Sequence, residues 1–196
     1  MSPEFTLRIP PAEEIDGGYY WSLAFDPGVT TGWAVFRTPR LKLVSDGFLE
    51  ALRPGQGSGW NAGEFTGDEE SQVDLMVEIA RTVYRSVDEE AGDEWSIIVE
   101  GFVVRMISMK RSFLSPVRLA AKFKREMRQA PVLIEEPFSS DAMNIVTDGR
   151  LRDWNLYRPG SDHVRDAMRH AIMMQRRYSS EPQFRGMVRA TMGWPV

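Results

Sequence analysis

Two runs of residues, Tyr20 to Phe25 and Trp95 to Val99, are apolar at almost every position, and each is followed at once by a carboxylate, Asp26 and Glu100. A strand with one wet face alternates apolar and polar side chains. Runs without that alternation predict strands covered on both faces. A carboxylate at the end of such a strand is costly unless something pairs it. Neighbouring strands lie roughly 4.8 Å apart, so if these two run side by side their carboxylates converge and raise one another's pKa unless a cation sits between them.

A third acidic position comes late in the chain. From Ser161 the sequence predicts a helix whose apolar stripe is Val164, Ala167, Met168, Ala171 and Ile172, at three- and four-residue spacing. Beside that stripe His163 and Asp166 stand three apart and Asp162 and Asp166 four apart. Such residues share a helix face, so one helix can offer two metal-ligating or proton-handling groups to the strand ends. Asp162, after Gly160 and Ser161, also reads as the N-cap of this helix. Oxygen-rich sites of this kind favour magnesium or manganese.

The strand-turn-strand Asp-Pro-Gly-x-Thr-x-Gly-Trp-Ala from Asp26, the Glu100 that ends a hydrophobic strand, and the late His-x-x-Asp-Ala at His163 to Ala167 together resemble the RuvC group of Holliday-junction resolvases. The resemblance runs from Trp21 to Arg177. It includes Asp148 to Tyr157 ahead of the last helix, a segment similar to the smaller resolvases of bacteriophages. It implies a ribonuclease-H-like α/β fold: a mixed five-stranded sheet, a three-strand antiparallel meander plus two parallel strands, with helices on both faces. It implies Asp26, Glu100, His163 and Asp166 as the four active-site residues. Asp26, Glu100 and Asp166 would be metal ligands, with Asp162 or His163 as the further group. Some members carry Asp where His163 stands, which leaves open whether the fourth group is that imidazole or the Asp162 carboxylate. The expected cofactor is Mg2+, with Mn2+ as a substitute, two ions per site. The reaction expected is paired hydrolysis of phosphodiesters in four-way junctions and other branched DNA. Two equivalent scissile strands need two sites, so the resemblance also implies a homodimer, for which Met106 to Leu114 and the helix near 70 to 90 are candidate surfaces.

Composition limits the alternatives. The chain has 196 residues, 42% of them hydrophobic, enough for one core. It has no cysteine, so disulfides and thiolate metal sites are excluded, which fits a reducing cytoplasm; the resemblance implies that of a bacterium or a phage-infected host. There is no signal-peptide pattern and no run of roughly 18 apolar residues, so no membrane role is expected. Residues 1–18 are rich in Pro, Glu and Gly and are expected to be disordered; Met-Ser-Pro-Glu-Phe is similar to a cloning-vector remnant. The expected organisation is a nuclease domain over 19–180 and a C-terminal tail over 181–196.

The net charge of -4 argues against a generally sticky nucleic-acid binder, yet eight positive charges against one negative fall between Arg105 and Arg128. Ser115 and Pro116 are expected to cap and start a helix there, with Leu119, Ala120, Phe123 and Met127 inward and Arg118, Lys122, Arg125 and Gln129 on another side. Arg105, Lys110, Arg111, Arg118, Lys122 and Arg125 are thus the expected DNA-binding cations. Phe102, next to Glu100, is the candidate wedge between bases. A second set, Arg165, Arg169, Arg176, Arg177, Arg185 and Arg189, decorates the last helix and tail.

The predicted element order is β-β-β-α-β-α-β-α. Strands are expected at about 20–26, 32–38 and 41–50, then a Gly-rich loop over 54–67 and a helix from about 70 to 90 with Val73, Met76, Val77, Ala80, Val83, Tyr84 and Val87 on one stripe. The Glu100 strand, the basic helix, a strand over 131–135, short helical pieces over 139–154 and the last helix follow. Competing readings are another nuclease of the same fold, a terminase nuclease or RNA-DNA hybrid nuclease, and a DNA-architecture protein using only the basic stripe. Asp-Pro-Gly-Val-Thr-Thr-Gly is also similar to a phosphate loop of sugar kinases and actin, but that arrangement needs two domains and a second Asp-x-Gly loop, and the chain has neither.

Overall fold

The structure, a computed structural model, describes residues 17–45, 51–52, 58–100, 111–127, 132–135 and 139–191. Its strands are β1 (Tyr19–Asp26), β2 (Thr30–Pro39), β3 (Gly59–Thr66), β4 (Glu94–Glu100) and the four-residue β5 (Val132–Glu135). Its helices are α1 (Arg40–Ser45), α2 (Glu69–Tyr84), α3 (Arg111–Glu126), α4 (Ser139–Ile145), α5 (Asp148–Asp153), α6 (Asp162–Ser180) and α7 (Pro182–Thr191). Among the described residues no helix is long and apolar enough to cross a membrane.

The unalternating runs do lie at the centre of a sheet, ordered β3-β2-β1-β4-β5. β1 pairs antiparallel with β2 and parallel with β4, β2 pairs antiparallel with β3, and β4 pairs parallel with β5. Every residue of β1 is buried, because both faces are covered. On one face Tyr20, Ala24, Ala34, Phe36 and Ile98 pack under α6 and α7. On the other, Trp21, Leu23, Phe25, Ile97 and Val99 pack under α2 and α3. The expected stripe of α6 is the buried one, and Ser22 donates to the Ala171 carbonyl at 3.1 Å, so helix and strand lie close.

Four sequence expectations need correction. The described part of the expected third strand, residues 41–45, is not a strand, and 46–50 lie outside the described residues. After Pro39 the chain turns into α1, where Leu43 is buried while Leu41 and Val44 are exposed. The Arg40 amide donates to the Gly18 carbonyl and its guanidinium pairs with Glu94. The third strand is instead β3, inside the stretch read as a Gly-rich loop. Its glycines disguise it: Gly63 pairs with Trp33, and a Cβ there would lie 3.0 Å from the indole nitrogen, so Trp33 fills the place of a side chain.

The basic helix starts at Arg111 rather than at Ser115, with Pro116 inside it. That proline forfeits one backbone bond, while burial of Leu119, Phe123 and Met127 anchors the helix to the sheet. At the head of α6 the N-cap is Ser161, whose hydroxyl accepts from the Val164 amide at 3.1 Å, and Asp162 is the first helical residue. The segment read as a tail carries α7, with Phe184 and Val188 in the core.

Candidate active site

Alternation along β1 and β4 fixes where their terminal carboxylates point. Tyr20, Ser22 and Ala24 face α6, so Asp26 does too; Ser96 and Ile98 place Glu100 on the same face. The register pairs Phe25 with Val99, so Asp26 and Glu100 emerge side by side one residue further on. Each carboxyl alters the other's hold on its proton.

α6 crosses above them. His163, Asp166 and His170 follow one another at spacings of three and four, on one helix face. His163 Nδ1 lies 2.7 Å from Asp26 Oδ2. His170 Nε2 lies 3.3 Å from Glu100 Oε2, and the ring is buried with Nδ1 lacking a hydrogen-bond partner. Asp166 is drawn to Arg169, which also pairs with Asp148. Asp162 points elsewhere: it is exposed and pairs with Arg165.

The electrostatics are those of acids placed close together. Burial, then the hydrogen bond and charge of Glu100 and the charge of Asp166, push the Asp26 carboxyl up to about 9. Burial also acts to raise Glu100, but hydrogen bonds with His170 and Asp26 outweigh it and hold that carboxyl below its ordinary range. Asp166 is raised, chiefly by burial, against the opposing pull of Arg169. Without a cation, Asp26 therefore keeps its proton near neutral pH.

Among the described residues no group of three or more His, Cys, Asp or Glu side chains stands ready to hold a metal ion. The donor chemistry nevertheless fits a hard divalent cation: two carboxyls side by side at adjacent strand ends with a third in electrostatic reach, one of them held strongly toward its protonated form in the absence of a positive charge.

The expected DNA contacts divide. Phe102, Arg105 and Lys110 lie outside the described residues, and Arg111 is described by its backbone as the first residue of α3. α3 packs on the sheet face opposite the carboxylates. Its stripe is partly neutralised: Arg118 pairs with Glu69 at 2.6 Å, Lys122 approaches the same carboxylate at 3.6 Å, and Arg125 pairs with Glu126 at 3.3 Å. In the second set, Arg165 and Arg169 are buried among Asp148, Asp162 and Asp166, and Arg189 holds Glu94 at 2.8 Å. His170 was not singled out from the sequence. Its signal was the spacing of four from Asp166 and seven from His163.

No protein-family model matches the sequence, and no curated protein matches it. Among solved structures the chain is similar to T. thermophilus RuvC in complex with Holliday junction substrate, at 13% identity and a TM-score of 0.50, covering 81% of this chain and 94% of that one. A second similar structure, Thermus thermophilus RuvC, is 14% identical with a TM-score of 0.48, covering 80% of this chain and 94% of that one. The chain thus has a RuvC-like fold, an α/β fold with a mixed sheet.

Proposed function

We propose that this protein is a metal-dependent, structure-selective endodeoxyribonuclease that resolves four-way junctions and related branched DNA by phosphodiester hydrolysis. The observation that carries the reading is the pair Asp26 and Glu100, side by side at the ends of adjacent parallel strands, with His163 on Asp26 and Asp166 on the same helix face above, in a RuvC-like fold. Asp26, Glu100 and Asp166 are the residues to hold divalent cations, Mg2+ or Mn2+, which when bound supply Lewis-acid activation of water and charge stabilisation at the departing oxygen. Asp26 holds the His163 ring through Nδ1, and that leaves Nε2 free to accept a proton from the attacking water. His170 fixes the rotamer of Glu100 from the buried side. A junction has two scissile strands, so a two-fold dimer is the working assembly.

The test is cleavage of matched four-way junction, fork, linear duplex and RNA-DNA hybrid substrates, with Mg2+, Mn2+ or EDTA, by wild type and Asp26→Asn. Paired symmetric nicks in the junction, lost with EDTA and in the variant, are expected. Preferential cutting of hybrid or linear duplex would move the protein to another nuclease function, and tight junction binding without any cutting would make it an architectural protein.

A further inference from the structure

A cleft of about 520 Å³ opens beside the head of α6, lined by Trp60, Asn61, Glu64, Arg158 and Ser161. It is not part of the carboxylate site. The registers nonetheless tie the two: Asp26 pairs with Gly32, and Gly32 with Glu64. Two strand spacings, roughly 10 Å, separate Asp26 from Glu64 along that row. Trp60, Ala62 and Glu64 alternate toward the face that carries Asp26 and Glu100.

The walls of the cleft suit a flat aromatic ring. Trp60 is half-buried, and its indole is backed by Phe36, with ring centroids 6.1 Å apart and planes 22° from parallel. Arg158 lies over the Trp60 ring, its guanidinium carbon 4.7 Å from the centroid. The backbone of Arg158 is fixed, because its carbonyl accepts from Arg165 at 2.8 Å. Its exposed guanidinium makes no ion pair among the described residues and has only the indole beneath it. A loosely held planar cation on a rigid indole can be exchanged for another flat π system, and a base on such a platform is held by stacking whatever its identity. Glu64 accepts from Ser161 and, with Asn61, offers polar groups to a base edge. Its charge keeps a phosphate out of the cleft, so the sugar-phosphate faces outward, where Arg158 can reach it.

We propose that this cleft takes one unpaired nucleotide of the branched substrate, the base on Trp60 and the phosphate on Arg158. The proposal rests on the nuclease reading for its substrate class. At 3.4 Å per stacked nucleotide, a strand with its phosphate at Asp26 reaches the cleft within about three nucleotides.

The experiment is fluorescence anisotropy of a short fluorescein-labelled oligothymidylate titrated in EDTA, where no metal-dependent cutting can occur, with wild type, Trp60→Leu, Trp60→Phe and Arg158→Ser. Trp60→Leu and Arg158→Ser are each expected to weaken binding about tenfold, and Trp60→Phe to retain most of the affinity, because phenylalanine keeps an aromatic face for the base to stack on. Arg158 is exposed, so its replacement leaves the fold intact, and thermal denaturation of each variant identifies any loss due to unfolding. Wild-type affinity in both Trp60→Leu and Arg158→Ser would overturn the proposal. So would a loss in Arg158→Ser with none in Trp60→Leu, which would mean a phosphate contact without a base. Junction cleavage by the same variants separates the two readings: unchanged oligothymidylate binding with Asp26-dependent cutting would remove the cleft and keep the nuclease.

Discussion

Gly32 and His163 meet backbone to backbone. A Cβ on Gly32 would overlap the His163 carbonyl group and come within 2.8 Å of the Val164 amide nitrogen. Gly32 pairs with Asp26 on one side and Glu64 on the other, so the glycine lets the head of α6 rest on the sheet between them. From that position His163 reaches Asp26 and Ser161 reaches Glu64. Gly32→Ala is expected to lift this end of the helix, costing about 2–3 kcal/mol as a backbone clash in a packed core, and to separate His163 from Asp26. Urea unfolding and junction cleavage measure the two effects. A variant with wild-type stability would show that α6 is not seated in this way.

Asp26 makes metal-free stability depend on pH. In the folded chain it keeps its proton up to about 9, against an ordinary value of 3.8, so between those limits the folded state binds the proton that the unfolded state has released. The contribution is fully present at acid pH and is lost as pH rises toward 9. Glu100, held low, acts in the opposite sense only at acid pH. In EDTA, Asp26→Asn is therefore expected to be more stable than wild type at pH 8, by at least about 1 kcal/mol, with the advantage gone near pH 4. Thermal unfolding across that range is the measurement. A constant difference at all pH values would contradict a raised Asp26. The same substitution is expected to abolish cleavage.

His170 holds Glu100 from inside the protein. His170→Phe keeps a ring in the cavity and removes the donor, and an outer partner of this kind is worth about 10–100-fold in metal affinity or activity. Calorimetric titration with Mn2+ is expected to show that loss while circular dichroism remains that of wild type. Equal Mn2+ affinity would reduce the imidazole to a packing group.

The parts of this arrangement legible in sequence are those set by local periodicity. Tyr20 to Phe25 and Trp95 to Val99 announced central strands because no residue in them needs water, and the stripe from Val164 to Ile172 announced the helix above. What periodicity cannot carry is information held by distant partners. β3 looked like a loop because Gly63 makes sense only against Trp33. Arg118 and Lys122 looked like free cations because Glu69, far back in the chain, partly neutralises them. Leu41, Leu43 and Val44 looked like strand because alternating leucines suit either state until Pro39 and the Arg40 pairing with Glu94 decide it. His170 carries no sequence signal beyond its spacing from Asp166 and His163, because its role depends on a contact with Glu100, far back in the chain.

That partial neutralisation limits the basic helix. Replacing Lys122 and Arg125 by Ala is expected to weaken junction binding and to reduce its dependence on salt, by at most about one counterion for each charge lost. Affinity measured from low to high salt gives the slope. An unchanged slope would take this face of α3 away from the DNA.

Asp148 carries the last prediction. It accepts from Arg169 and lies 3.6 Å from Arg165, two nearly buried guanidiniums that also hold Asp166 and Asp162. With Asp148→Ala, Arg169 loses one of its two carboxylates, and an under-paired buried cation is destabilising. Because Asp148 is partly exposed and water can replace some of what is lost, a cost of about 1–2 kcal/mol is expected. Arg169 is then left to Asp166 alone and competes there with any added cation, so half-maximal cleavage should need more Mg2+ than in wild type. Adding Arg169→Met removes the competing charge and is expected to restore the Mg2+ requirement. If the double variant needs as much Mg2+ as Asp148→Ala alone, Arg169 does not govern the availability of Asp166.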